Sequence, residues 1–274
     1  MRNHWIAAVA ALALLGGCNA TDRNAQQQAA APAIAPGTQI TGTVTLHDPI
    51  QIGEGAKLDI KLVDVAEPMI PIAEKVVGVN GQPPYSFTLD FDRNKISVGR
   101  TYVVNVLLID GPRRFLPALN SVVLTNGSGT TAQVVLNAEA TPAEKLADAC
   151  THIEKHIGGM KTVSDTYTTE DASVGWDAFA KAGVVQYVRV NTNFDKGGSS
   201  SVNYAYKDGR PLCAKSPGGL KAKWSVGWNA DGSVLFNHKP GGGELDQTAI
   251  DDLMHGAVEA LKRAQAKVDA SRKR

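Results

Sequence analysis

The sequence predicts two folded domains behind an exported leader: an all-β sandwich, then an α+β domain whose helices pack on an antiparallel meander sheet. Three observations predict it. A short apolar run ends in Leu15-Gly16-Gly17-Cys18. The segment Tyr85-Ser86-Phe87-Thr88-Leu89-Asp90-Phe91 alternates apolar and polar residues without a break. Thr141-Pro142-Ala143-Glu144 has the residue types of a helix-capping box, and the apolar period changes there from that of a strand to that of a helix.

The leader comes first in the chain. Arg2 supplies a basic start, and the apolar run Trp5 to Leu15 is about half of the roughly 20 residues that a membrane-spanning helix needs. Residues 1–17 therefore read as a signal peptide. The small residues before Cys18 have the character of a lipobox, so Cys18 is the expected lipidation site and, with Asn19 rather than aspartate behind it, the outer membrane is the expected destination. Residues 18–38 are rich in Ala, Gln and Pro and offer too little apolar surface to offset chain entropy, so they read as a tether.

With 28 Lys+Arg against 27 Asp+Glu, the chain lacks the basic excess that phosphate binding needs, and nucleic acid is not an expected partner. Of the 3 cysteines, Cys18 goes to lipid, and Cys150 and Cys213 have only each other in an oxidising compartment. A disulfide is expected between the first helix of the second domain and the loop Arg210 to Gly219.

Residues 39–137 carry strand signals throughout. Ile40, Gly42, Val44 and Leu46 share one face of an alternating run, Leu58, Ile60, Leu62 and Val63 begin another strand, and Tyr102 to Ile109 is rich in β-branched residues ahead of an Asp110-Gly111-Pro112 turn. Short strands at this spacing suit a β-sandwich. Ile40-Thr41-Gly42-Thr43-Val44, Leu58 to Val65, Pro83-Pro84-Tyr85 to Asp92, Arg100-Thr101-Tyr102-Val103-Val104 and Val122-Val123-Leu124-Thr125 together resemble the YbaY/YscW lipoprotein family. That resemblance implies a small β-sandwich without catalytic residues. One branch of the family consists of pilotins, which escort secretin subunits to the outer membrane, so a secretin or another envelope protein is the implied partner.

Residues 141–274 read as the α+β domain, and they resemble no family. Leu146, Cys150, Ile153 and Ile157 form a helical stripe stopped by Gly158-Gly159. A shorter helix is expected around Trp176 to Ala182, ended by Gly183. Strands are expected at Val184 to Phe194, Ser201 to Tyr206, Lys221 to Trp228 and Ser233 to His238, with turns at Asp208-Gly209 and Asp231-Gly232. A last helix opens at Asp246, with Leu245 and Ile250 as a hydrophobic staple and Ile250, Leu253, Ala257 and Leu261 as its buried face. Helices are expected on one side of this sheet, and the basic residues from Lys262 to Arg274 read as a frayed tail.

Catalytic constellations are missing. His152 and His156 have the spacing of a shared metal site, but Ile153 stands where the zincin motif requires Glu, and both lie off the apolar stripe. Gly241-Gly242-Gly243 lacks the Lys-Ser/Thr ending of a phosphate loop. No metal, cofactor or enzyme activity is expected. Tyr204 with Tyr206, and Trp224 with Trp228, are spaced at period two, so each pair either fills the core or forms a binding platform. Two functions are therefore carried forward: a non-catalytic outer-membrane lipoprotein that binds or helps assemble an envelope component, and a cell-wall or glycan-binding protein or envelope hydrolase using the second domain.

Overall fold

The computed structural model describes residues 33–218 and 223–272. Cys18, the leader and all but the end of the tether lie outside the described residues. The chain forms two separate β-sheets, with no strand pairing between them.

Eight strands make the first sheet: β1 (Gln39–Leu46), β2 (Lys57–Asp64), β3 (Pro71–Gly78), β4 (Tyr85–Asp90), β5 (Tyr102–Asp110), β6 (Arg113–Pro117), β7 (Ser121–Val123) and β8 (Thr131–Ala138). Expected as a two-layer sandwich, they pair along one path, β3-β2-β5-β6-β8-β1-β4, with β7 against the first residues of β5. The β1–β8 pair is parallel. Alternation turns Ile40, Val44, Leu58, Ile60, Leu62, Phe87, Leu89, Val104, Val106, Leu108, Val134 and Leu136 to one side of their strands. The path rolls round them into a single core. Gly42 makes this close packing possible, since a Cβ there would stand 2.4 Å from the Phe87 ring and 2.6 Å from the Ala132 carbonyl oxygen.

The fold begins before the expected end of the tether. Ile34 packs against the first core. The Ala35 amide donates to Leu124 O at 2.7 Å, and the Arg93 guanidinium donates to Ala35 O at 2.6 Å. These hydrogen bonds are contributed by distant residues, which local composition does not register.

Thr141 caps the first helix, α1 (Pro142–Lys155), as expected: the Glu144 amide donates to Thr141 Oγ1 at 3.2 Å, and the Thr141 amide donates to Glu144 Oε2 at 2.8 Å. The second sheet follows as a meander, β9 (Lys161–Thr168), β10 (Ala172–Lys181), β11 (Val184–Phe194), β12 (Ser199–Lys207), β13 (Arg210–Lys215), β14 (Ser225–Trp228) and β15 (Val234–His238), every neighbouring pair antiparallel. The helix expected around Trp176 is instead β10. Its inward residues Ala172, Val174, Trp176, Ala178 and Ala180 recur at period two, and Ala182-Gly183, both at positive φ, turn the hairpin into β11. The expected loop around Cys213 is β13, joined to β12 by the positive-φ pair Asp208-Gly209.

The helices do not share one side of this sheet. On one face α1 sets Cys150 and Ile153 against Tyr187, Ala205 and Cys213. On the other, α2 (Gln247–Arg272) sets Ile250, Ala257, Ala264 and Val268 against Ala178, Val188, Tyr204, Tyr206, Ala214 and Trp228. Asp246 caps α2 by accepting from the Ala249 amide at 2.8 Å, and Leu245 and Ile250 join the same core as the staple requires. The basic tail is helical and docked to Arg272, because Gln265 accepts from the Val185 amide and donates to Gly183 O, and Lys267 pairs with Asp165.

Cys150 and Cys213 are disulfide-bonded, with Cα atoms 6.5 Å apart and a sequence separation of 63. In the chain-entropy account a crosslink over such a span restricts the unfolded chain by about 4 kcal/mol. Cys213→Ala should therefore lower the melting temperature of the second sheet and its helices by several degrees while leaving the first-sheet transition in place. Calorimetry with and without reductant checks this, and an unchanged second-sheet transition would contradict it.

Candidate functional site

In the first sheet, attention falls on β3 and the loop leading into it. Asp64, at the end of β2, is 5% exposed, so its charge requires partners. Arg100 donates to Asp64 Oδ2 at 2.6 Å and to Glu67 Oε1 at 2.8 Å, and the Ala66 amide donates to Asp64 Oδ1 at 2.9 Å. The Arg100 hydrogen bond, followed by that from Ala66, holds the Asp64 carboxyl below the ordinary carboxylate range. This network fixes the base of the loop, where Val65 is 53% exposed, and leaves the apolar residues Met69 and Ile70 that lead into β3 in solvent, 90% and 65% exposed.

The apolar strip continues along β3. Val76 is exposed, and Ile72, Ala73 and Val77 are half-buried against the core. β3 pairs only with β2, and β4 only with β1, so these two strands end the pairing path. The path comes round on itself, and Lys75 Nζ reaches Thr88 O of β4 at 2.8 Å. No backbone ladder joins the two strands. The result is a seam with unpaired backbone groups and half-buried apolar side chains, headed by an exposed apolar tip. Such an edge accepts an added strand or an apolar segment from another chain. Sequence reasoning missed β3, because Glu74 and Lys75 interrupt its alternation and only its pairing with β2 makes the strand evident.

The second sheet distributes the expected aromatic residues unevenly. Trp228 and Tyr206 are fully buried under α2, and Tyr206 donates its hydroxyl to Ala257 O at 2.9 Å. Trp224, just before β14, is partly buried against the same core. Burial therefore supports the core reading for these three. Tyr204 differs: it is buried, yet it lines a cleft beside α2 together with Trp176 and Tyr167. Trp176 went unnoticed as a site residue because its strand was expected to be a helix.

His152 and His156 are exposed, with ring centroids 4.1 Å apart and His156 Nδ1 2.7 Å from His152 O. No cluster of three or more metal-ligating side chains occurs among the described residues. Lys215, buried beside the disulfide, is ion-paired to Glu154, which also accepts from the Tyr187 hydroxyl at 3.0 Å. Burial and the Glu154 charge push the Tyr187 phenol well up, so this group is a structural staple between α1 and the sheet. No described helix is long and apolar enough to cross a membrane.

The first sheet, with the seam at its open ends, is the part of the chain that known proteins illuminate. Residues 35–136 match the family described as type III secretion system lipoprotein chaperone, YscW. The YscW match starts at the residue whose amide is tied to Leu124 and ends inside β8. No family match covers the second sheet. Among solved structures, an alternative pilotin from the type II secretion system of Vibrio cholerae is 28% identical over 37% of this chain and 96% of that one, at a TM-score of 0.35. A 9R-lipoxygenase from Cyanothece PCC8801 is 13% identical over 63% of this chain and 43% of that one, at 0.23. At these TM-scores neither likeness carries a functional argument. No curated protein matches the chain.

The Asp64 network has a defined pH dependence. Because the folded-state pKa is depressed, the stability it contributes is present above the unfolded value of about 3.9 and is lost as pH falls through the lower folded value. Arg100→Ala should thus lower the first-sheet melting temperature at neutral pH, with the difference from wild type shrinking toward about pH 2. Thermal melts across that range measure it, and a pH-independent difference would mean that Asp64 is not the group involved.

Proposed function

We propose that this chain is a non-catalytic lipoprotein, anchored through Cys18 to the outer membrane on its periplasmic side, that assists assembly of a secretion-system component such as a secretin. The observation that carries the proposal is the exposed apolar group of Val65, Met69 and Ile70, on the loop that enters β3 at the head of the β3–β4 seam, inside the region that matches a secretion lipoprotein chaperone family. Exposed apolar groups on a rigid support bind a partner without the ordering cost that a mobile loop carries. The seam offers hydrogen-bonding backbone to an extended segment, and the tip offers apolar contact. The proposal includes a division near Asn137 to Thr141 into a partner-binding domain and a second, separately folding domain of its own specificity.

Affinity capture from detergent-solubilised membranes tests the partner reading. The wild-type chain should enrich a secretin-type subunit, and Met69→Asp with Ile70→Asp should reduce that enrichment about tenfold or more, as expected for apolar anchors at an interface. Equal enrichment by the double variant would move the interface elsewhere, and no enriched secretion component would defeat the reading.

The anchor is tested separately. Metabolic labelling with a fatty-acid analogue should mark the wild-type chain and not Cys18→Ser, since the substitution removes the thiol to be acylated. Label that survives the substitution would exclude lipidation at Cys18.

A further inference from the structure

The face of the second sheet under α2 is only partly covered. In the register of β10, β11 and β12, the row Ala178–Val188–Tyr204 lies beneath the helix, the next row is Trp176–Val190–Val202, and Val174 and Thr192 begin a third. These two outer rows floor a cleft of about 590 Å³, a size typical of small-ligand sites, which run roughly 300–1,000 Å³. Helix α2 forms one wall through His255, Gly256, Glu259, Ala260 and Arg263, and Tyr167 of β9 stands opposite, its ring 4.3 Å from the Arg263 guanidinium carbon.

Three features distinguish this cleft from an incompletely packed sheet. First, Tyr204 is 94% buried, being only 6% exposed, and its hydroxyl has no hydrogen-bond partner among the described residues although it opens on the cleft. Solvent reaches the hydroxyl through the cleft, so a ligand acceptor can take the place of water on it. Second, the hydroxyl lies directly against Gly256, in the middle of α2, where a Cβ would come within 2.6 Å of Tyr204 Oη, so the glycine is what lets the tyrosine reach the cleft wall. Glycine inside a helix costs roughly 0.5–1 kcal/mol relative to alanine. Third, Glu259 and Arg263, four apart on one helix and in the orientation that favours pairing, form no ion pair among the described residues. Arg263 lies on Tyr167, and both charges border the cleft.

We propose that this cleft binds a neutral saccharide ring, with Trp176 and the valines against its C–H face and Tyr204, Thr192 and Glu259 bonded to its hydroxyls. The lining decides the class. An acyl chain would leave the Tyr204 and Thr192 hydroxyls unsatisfied. A polyphosphate would meet the Glu259 carboxylate, and the opposite charges at the rim cancel, which suits a ligand without net charge. A peptide added as a strand needs an unpaired edge, whereas β10, β11 and β12 are paired on both sides. Burial, reinforced by Tyr167, raises the Tyr204 pKa to about 12, which keeps its hydroxyl a donor across the physiological range.

Titration of the mature chain with chitotriose, and separately with maltotriose, tests this by calorimetry and tryptophan fluorescence. At least one should bind, with a change in tryptophan emission. Tyr204→Phe and Glu259→Gln should each weaken binding about tenfold, the value of one hydrogen bond to a buried or charged group. Gly256→Ala should weaken it by forcing the Tyr204 hydroxyl out of its place beside the helix. The Glu259 substitution lies on the partly exposed rim, so its melting temperature should match wild type and separate lost binding from lost fold. Absence of binding to both sugars, or binding unaffected by Tyr204→Phe and Glu259→Gln, would overturn the proposal, and neither result bears on the partner capture at Met69 and Ile70.

Discussion

A sheet clamped between helices on opposite faces has to bury consecutive residues of its central strands, and the second half of this protein follows from that constraint. In β12 the run Asn203-Tyr204-Ala205-Tyr206 is buried throughout, and in β13 Cys213-Ala214-Lys215 is buried as well. Residues facing α1 include Tyr187, Ala205 and Cys213, whereas Tyr204, Tyr206 and Ala214 face α2. The disulfide lies on the α1 face and holds that helix against β13, and the buried Lys215–Glu154 pair adds a polar tie on the same elements. On the α2 face there is no covalent tie. Shape does the work there, through small residues such as Ala257 and Ala264 that let the helix lie close to the strands.

The same constraint explains how much was legible in advance. Where one face of a strand meets the core and the other meets solvent, alternation is readable, and β1, β2 and β4 of the first sheet were visible from it, while β5 showed through its β-branched residues. The capping box at Thr141 and the staple at Leu245 and Ile250 were equally legible, because both depend on residues close in sequence. Two edge strands, β3 and β9, escaped. β3 carries charges along its solvent side, and β9 has only Val163 and Tyr167 partly buried. β10 was misjudged because a Trp, an Ala-rich run and a terminal Gly also describe a short helix, and the choice between the two was made by pairing with β9 and β11, which no local pattern contains.

Site legibility divided along the same line. Cys150 and Cys213 were found by elimination, and their pairing brings together elements 63 residues apart. Tyr204 was named for the spacing it shares with Tyr206, yet the two have opposite fates. One bonds its hydroxyl to the helix backbone, and the other keeps its hydroxyl in a cleft that exists because α2 stops short of the outer rows. The apolar tip at Met69 was invisible as a site, because its significance comes from the ion network beneath it and from the seam it adjoins.

Glu144 joins the two halves of the molecule. The carboxylate that completes the α1 capping box also accepts from Arg113 of β6, whose guanidinium donates in addition to Glu139 O. One side chain thus serves in the N-terminal cap of the helix and as the clasp to the preceding sheet. Both partners of the clasp are within reach of solvent, so dissolved ions compete with it far more readily than with the covalent tie at Cys150. The second half therefore carries a covalent tie that salt leaves untouched, while the ion pair between its first helix and the preceding sheet weakens as ionic strength rises.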